Sequence, residues 1–256
     1  MTASGTGLRF DFEWRLTLAT VLLVPLFVGL GFWQRERAAE KVVLAERWDQ
    51  RQQLVPAPLA ELTGESADTL AYRPVRVSGE YLRDRQFLLD NRIQGGRYGN
   101  EVVSVLRRGD GGGLLLVNRG WVAADPARRA LPEVPLPPGP VTVSGHIYVP
   151  PGAPYLLSDQ VLDEGWPKRI QAVQVPLLAE VLAASGEPEP RLFPYTVRLG
   201  AGEPGALAVD WKVVNVSPEK HLGYSLQWFA MALALGLLFL FRTSNVWSVL
   251  TGRGGR

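Results

Sequence analysis

A long uncharged run near the carboxyl end of the chain most strongly limits what it can fold into. Leu222 to Phe241 is 20 residues without a formal charge. A helix rises about 1.5 Å per residue, so roughly 20 such residues cross the about 30 Å hydrocarbon core of a bilayer. Ser217 can cap the start of this helix, and Pro218 suits its first position. The run predicts a transmembrane helix over 218–241.

A second apolar run, over residues 16–34, lies between Arg15 and Arg35 and predicts another transmembrane helix. Bulky residues follow it where a signal peptidase needs small ones, so we expect an uncleaved span. Basic residues around the two spans favour opposite orientations, so the positive-inside rule leaves the topology open. The remaining segments are an N-terminal tail over 1–15, a central domain over 35–217 and a C-terminal tail over 242–256.

The composition excludes several classes of function. The chain has 27 basic and 25 acidic residues, a net charge of +2 and no cysteine. Because the basic residues are scattered among acids, we expect no nucleic-acid binding. Disulfides, thiolate metal sites and cysteine nucleophiles are excluded.

The central domain reads mainly as strands. Residues 34–53 predict a helical continuation of the first span, and residues 176–184 predict one further helix. A glycine-rich segment over 107–113 is typical of a hairpin tip. The predicted fold is a membrane α+β protein in which two transmembrane helices flank a predominantly antiparallel β domain. Runs rich in Val, Leu and Tyr, separated by turn residues, predict strands at 75–82, 86–91, 101–106, 114–122, 141–149, 195–199 and 211–216.

The segment from Asn118 to Trp121 closes one of these strands and allows two interpretations. In the first, Gly120 forms a bulge, Trp121 packs in the core and Arg119 pairs with a carboxylate. In the second, Arg119 and Trp121 form a corner that contacts a partner, because both residue types are enriched at interface hot spots.

Hydrolytic chemistry has little support in this sequence. The two histidines are His146 and His221, and no Gly-x-Ser-x-Gly elbow or His-Glu-x-x-His motif occurs. His146 lies in a strand-like run, where a lone histidine is usually structural.

His221 differs because it lies in the first turn of the second apolar helix. Tyr224, Ser225 and Trp228 follow at helical spacing and predict a common face with it. The helix N-terminus disfavours a protonated imidazole, so a neutral ring able to bind a metal such as haem iron is one interpretation. The other interpretation is a histidine at the membrane interface, next to aromatic residues of the kind that commonly lie at the level of the lipid headgroups. The residues alone do not distinguish these two interpretations.

Several motifs, in this order, resemble the Surf1/Shy1 family of cytochrome c oxidase assembly factors. They are GFWQ at 31–34 with Arg35 and Arg37, YRPVRVSGEY at 72–81, LLDNR at 88–92, LLLVNRGWV at 114–122 and SPEKHLGYSLQWFAMAL at 217–233. Two departures are Ala123, where the family usually has Pro, and Ser225, where it usually has Ala.

The resemblance implies a protein of the bacterial inner membrane with a periplasmic central domain. It also implies a non-enzymatic role in which haem a is received and placed in oxidase subunit I, together with the haem a synthesis machinery. His221 would bind the haem iron, with Tyr224 and Trp228 as further haem contacts. Arg119, Trp121 and Gln227 are candidate partner contacts, and Gln227 suits a helix–helix contact better than the haem face.

Two alternatives of other classes stay open. One is a scaffold that stabilises a nascent oxidase subunit without touching haem. The other is a membrane-bound enzyme, which the lack of a nucleophile–base pair disfavours.

Overall fold

The computed structural model describes residues 9–154, 156, 158–187, 191–213 and 216–250. The chain divides into two compact units. One comprises Met1–Arg47 and Val213–Arg256, and the other comprises Trp48–Lys212. In chain order the elements are α1 (Trp14–Gln52), β1 (Ala57–Pro58), a 3-10 helix (Leu59–Leu62), α2 (Ala67–Leu70), β2 (Pro74–Gln94), β3 (Arg97–Arg108), β4 (Leu114–Ala123), β5 (Pro140–Tyr148), β6 (Lys168–Ile170), α3 (Val175–Ala184), β7 (Thr196–Leu199), α4 (Pro218–Thr243) and α5 (Val246–Leu250).

The first unit is built from the two long apolar helices that the sequence predicts. Helix α1 has 39 residues, so the apolar run and its polar continuation form one helix, and α4 has 26. Both are long and apolar enough to cross a membrane. Helix α4 begins after Ser217, whose backbone is extended and whose side chain makes no capping hydrogen bond, and Pro218 is its first residue.

The second unit is a mixed sheet whose central strands close into a ring. The strands follow the order β2, β3, β4, β7, β5, and β2 also pairs with β5. The pairs β2–β3, β3–β4, β2–β5 and β5–β7 are antiparallel. The pairs β1–β2, β2–β6 and β4–β7 are parallel. The expectation of a predominantly antiparallel domain is therefore only partly correct.

Two buried clusters occupy the two faces of this sheet, as strand alternation requires. The first contains Val77, Leu115, Val117, Val197 and Leu199 and fills the inside of the ring. The second covers part of the outer face, where β6 and α3 pack. It includes Phe87, Val105, Leu116, Ile170, Leu178 and Leu182.

Most predicted strands are present, with three differences. The runs at 75–82 and 86–91 belong to one strand, β2, which carries a register shift between Tyr81 and Gln86. Strands β1 and β6 are only two and three residues long, too short for an alternating pattern. The predicted strand at 211–216 is wrong for residues 211–213, which form no strand, and residues 214–215 lie outside the described residues.

Candidate functional site

Helices α1 and α4 contact each other through small and polar groups at one level and through aromatic rings at others. Ser225 Oγ donates a hydrogen bond of 2.8 Å to the carbonyl oxygen of Gly31. One turn earlier on α4, the Nδ1 of His221 lies 2.8 Å from the Oε1 of Gln34. On the other side of Ser225, the rings of Trp228 and Phe27 are 5.6 Å apart. His221, Ser225 and Trp228 thus face α1, as their spacing predicts.

The contact with Gln34 determines which nitrogen of His221 is available. Gln34 presents a carbonyl oxygen, which only accepts, so Nδ1 must donate the hydrogen. In the neutral ring the lone pair then lies on Nε2. That atom is enclosed and has no hydrogen-bond partner among the described residues. An imidazole with Nδ1 held by a carbonyl and a free Nε2 is the arrangement that metal-binding histidines usually show.

Tyr224 and Gln227 lie away from this contact. Tyr224 is 51% exposed, whereas Ser225 on the same helix is buried against α1. Gln227 is also exposed, and the contact with α1 is made by Ser225 and Trp228. The reason is angular: both residues fall on flanks of α4 that α1 does not reach. Haem contact by Tyr224 and partner contact by Gln227 stay predictions.

The donor set at His221 fits a haem iron better than a bare metal ion. Haem supplies four nitrogens of its own and needs one or two axial protein ligands, so a single imidazole suffices. Within the described ranges, no three residues of the His, Cys, Asp and Glu types gather to hold a metal ion. Because Nε2 is enclosed, binding requires a local movement of the groups that cover it. The structure thus offers the ligand atom, and haem binding stays a prediction.

A cavity in the same unit lies at the opposite ends of the two helices. It has a volume of about 640 Å³ and is lined by Glu13, Leu16, Leu238, Phe241 and Arg242. On both helices, these residues lie more than two helical turns from the level at which His221 contacts Gln34. The cavity is therefore separate from the candidate haem ligand.

The corner residues Arg119 and Trp121 belong to the β domain and are held by it. The guanidinium of Arg119 is 2% exposed and donates to the carbonyl oxygens of Gly205, at 2.7 Å, and Pro135, at 2.8 Å. Its cation lies over the ring of Tyr81, 5.6 Å from the centroid. A further hydrogen bond of 3.4 Å goes to the hydroxyl oxygen of Ser104. These partners among the described residues are carbonyls, a hydroxyl and a ring, which corrects the predicted carboxylate pairing. Burial lowers the pKa of Arg119 from its ordinary value.

The bulge predicted at this corner is present. Gly120 has φ +110°, a conformation that glycine adopts without strain, and the β3–β4 register shifts opposite it. Trp121 is half-buried, lies against Gly99 and donates its indole N–H to the carbonyl of Arg92 at 2.9 Å. Both side chains therefore have structural roles, and a partner contact by either stays a prediction.

The sequence interpretation missed the α1 side of the site, which consists of Phe27, Gly31 and Gln34. These residues recur at spacings of four and three, which is a helical face, but an uncharged span contains several such faces. Gln34 is the polar residue at the end of the run, next to Arg35, and that position was the available signal. Its partner lies 187 residues away in the sequence.

Comparisons with known proteins agree with one another. A family model described as the SURF1 family matches residues 21–233. A SURF1-like protein of Caenorhabditis elegans is 25% identical over 255 residues, covering 90% of this chain and 75% of the relative. A SURF1-like protein of Drosophila melanogaster is 33% identical over 122 residues, 40% of each chain. The cytochrome oxidase assembly protein SHY1 of Saccharomyces cerevisiae is 26% identical over 132 residues, covering 50% of this chain and 34% of that protein. Since the family match extends over most of its length, the chain belongs to the SURF1 family.

Proposed function

We propose that this protein is a membrane-bound assembly factor for a haem-copper cytochrome c oxidase, and that it receives haem a and assists its insertion into subunit I. The name of the yeast relative SHY1 supports the assembly role. The observation that carries the haem step is the Nε2 of His221, which is enclosed and unpartnered while Nδ1 is held by Gln34. A buried polar atom without a partner costs free energy, and a ligand would recover it.

The residues around His221 suit a carrier rather than a permanent haem protein. Bound haem a would supply an iron that accepts an axial nitrogen. Gln34 keeps the His221 ring in one orientation and one tautomer. Tyr224 offers an exposed ring on the same helix, and Trp228 lies two turns beyond His221, against Phe27. One protein ligand gives a weaker hold than two, and this favours release to subunit I.

The proposed setting is a bacterial inner membrane that both α1 and α4 cross, with the β domain in the periplasm. The apolar character of both helices supports this placement. The proposed partners are subunit I and the haem a synthesis machinery, and the protein has no catalytic step of its own. Nothing beyond His221, Tyr224 and Trp228 is proposed as a haem contact.

The test is an absorption spectrum of the detergent-purified protein after co-expression with haem a synthesis enzymes. Three forms are compared: the wild type, His221→Ala, and Leu226→Ala as a control at an exposed position of the same helix. We expect the wild type and Leu226→Ala to carry haem a, and His221→Ala to lose at least about 90% of it, because one axial bond holds the cofactor.

Oxidase assembled in cells that contain each variant gives the second measurement. The proposal requires that His221→Ala yields an oxidase deficient in haem a. If His221→Ala supports normal oxidase while no form carries haem, the scaffold alternative is correct instead. Circular dichroism and thermal melting establish that each variant is folded.

A further inference from the structure

The β domain contains a second histidine environment that the proposed function does not use. It lies on the outer face of the ring of strands, where β5 and β7 pair. His146 and Arg198 are direct neighbours in this pairing. Val197 and Leu199 point into the ring, so Arg198 points outward. His146 and Arg198 do not belong to the second buried cluster, which α3 covers on the outer face.

Arg198 is mostly enclosed by aromatic rings. Its guanidinium carbon lies 3.6 Å from the centroid of Tyr148 and 4.9 Å from that of Trp211. The Nε atom is buried and has no hydrogen-bond partner among the described residues. Stacking satisfies the faces of a guanidinium but leaves the N–H groups in its plane unused. Burial also lowers the pKa of Arg198.

Glu101 is the carboxylate whose charge raises the pKa of Arg198 against the larger effect of burial, and it already has other partners. Glu101 Oε2 accepts a hydrogen bond of 2.6 Å from the side-chain amide of Asn118. Its Oε1 lies 3.6 Å from the Nε of Arg92. The charges of Glu101 and Arg92 offset each other, so the positive charge of Arg198 has no counter-charge of its own among the described residues.

His146 adds a second unused polar atom. Its side chain is 6% exposed, and its Nε2 is enclosed without a partner among the residues described. The rings of Trp48 and Trp211 lie 4.5 Å and 6.4 Å from the imidazole. Burial, and then the charge of Arg198, lower the pKa of His146 to about 3, so the ring is neutral at physiological pH.

We propose that Arg198 and His146 form a binding site for a carboxylate-bearing small ligand. A carboxylate is planar and singly negative, so it matches both the fork of a guanidinium and the single positive charge left over here. The neutral imidazole can donate one further hydrogen bond from Nε2. The aromatic rings of Tyr148, Trp48 and Trp211 beside these groups lower the local dielectric and strengthen such contacts. The buried Nε2 of His146 favours a small ligand over the surface of a protein.

The test is a titration of the full chain in detergent with sodium acetate at constant ionic strength, made up with sodium chloride. Tryptophan fluorescence reports binding, since Trp48 and Trp211 lie beside the site. A saturable change and a rise in the thermal midpoint are expected, because a ligand that binds only the folded state stabilises it. Inorganic phosphate is titrated in parallel and is expected to bind at least about tenfold more weakly, for its shape and charge match less well.

Three variants decide whether the site is the one named. Arg198→Lys keeps the charge but loses the planar fork, and we expect about tenfold weaker acetate binding. Arg198→Met is expected to abolish the saturable response. Arg97→Met, an exposed arginine on β3, is expected to bind like the wild type. If Arg198→Met does not fold, Arg198→Lys alone decides.

Unchanged binding in the Arg198 variants would overturn the assignment. A fluorescence change that does not saturate, or that chloride reproduces, would show a salt effect only and would equally overturn it. Equal affinity for phosphate and acetate would refute the carboxylate class.

Discussion

Arg119 is the largest fully buried side chain in the part of the chain that the structure describes. A guanidinium that is almost fully buried loses its hydration, and it must recover that free energy from hydrogen bonds. It does so with the carbonyls of Gly205 and Pro135 and with the ring of Tyr81. Desolvation in turn raises the pKa of Tyr81 to about 12. The side chain thereby ties two loops to the inside of the ring of strands.

The first prediction concerns this residue. Arg119→Met keeps most of the volume but leaves two carbonyls without donors, so we expect the free energy of unfolding to fall by about 3 kcal/mol. Urea denaturation of the full chain, followed by tryptophan fluorescence, measures it. Arg129→Met is the control, because its side chain is 80% exposed and its pair with Asp125 lies at the surface. We expect it to change the free energy by less than about 0.5 kcal/mol.

The same pair of variants tests the interface interpretation of the corner. If Arg119→Met unfolds like the wild type yet reduces oxidase assembly, Arg119 contacts a partner and the structural assignment is wrong. A stability loss shared equally by Arg129→Met would also contradict the role of burial.

Individual residues differed in how far the sequence could predict them. The uncharged run after His221 and its place in a first helical turn are local facts, and the structure agrees with both. The partner of its Nδ1 is not a local fact, because Gln34 belongs to another helix. Arg119 was ambiguous for the same reason: loops distant in sequence supply its hydrogen-bond acceptors.

At the scale of elements, the contact between α1 and α4 depends on one glycine. A Cβ built on Gly31 would lie 2.6 Å from the ring of Phe229, so any side chain there must displace the ring or the helix. The close approach lets Ser225 reach the Gly31 carbonyl. Small residues with a polar group at the contact are a common means of pairing helices in membranes.

The second prediction is that Gly31→Val loosens this pair whereas Gly29→Val does not. A Cβ at Gly29 meets nothing within 4 Å, which makes it a matched control on the same helix. The chain has no cysteine, so a pair introduced by Phe27→Cys and Trp228→Cys and bridged by a short bifunctional thiol reagent reports the contact without background. We expect Gly31→Val to reduce this crosslinking about fivefold, equivalent to about 1 kcal/mol.

Equal crosslinking in the two glycine variants would mean that the approach of α1 and α4 does not depend on Gly31. Crosslinking that falls in both would point instead to a general cost of β-branched residues in α1. Only a selective loss supports the packing argument.

Strands and helices were predictable where their signal is local, and pairing was not. Runs rich in Val and Leu predict β3 and β4, and the glycine-rich tip between them predicts their hairpin. Strand β4 pairs in parallel with β7, so that Val117 lies beside Val197. The two strands are not joined by a short turn, so no local sequence signal predicts this pairing. Closure of the ring through β2 and β5 is likewise a tertiary event, which explains why the sheet is mixed.

At the scale of the whole molecule, the chain combines two apolar helices with an independent β domain. The apolar surface of the helices is largely exposed, which a water-soluble fold would not tolerate but a bilayer accommodates. The β domain buries its own core, with two clusters on the two faces of its sheet. Under the proposed function, the two helices would anchor the assembly factor in the membrane and leave the β domain outside it.

The third prediction is the topology. Charges near the two spans conflict, and a long domain can be translocated regardless of such charges. The proposed function places the β domain in the periplasm and the segment after α4 in the cytoplasm.

Single cysteines introduced by Arg97→Cys and Val249→Cys distinguish the two orientations, because both positions are exposed and the chain supplies no other thiol. In spheroplasts, we expect a membrane-impermeant maleimide to label the cysteine at position 97 and to label that at position 249 only after lysis. The reverse pattern would put the β domain in the cytoplasm, and labelling of both sites before lysis would mean that the helices do not span as a pair.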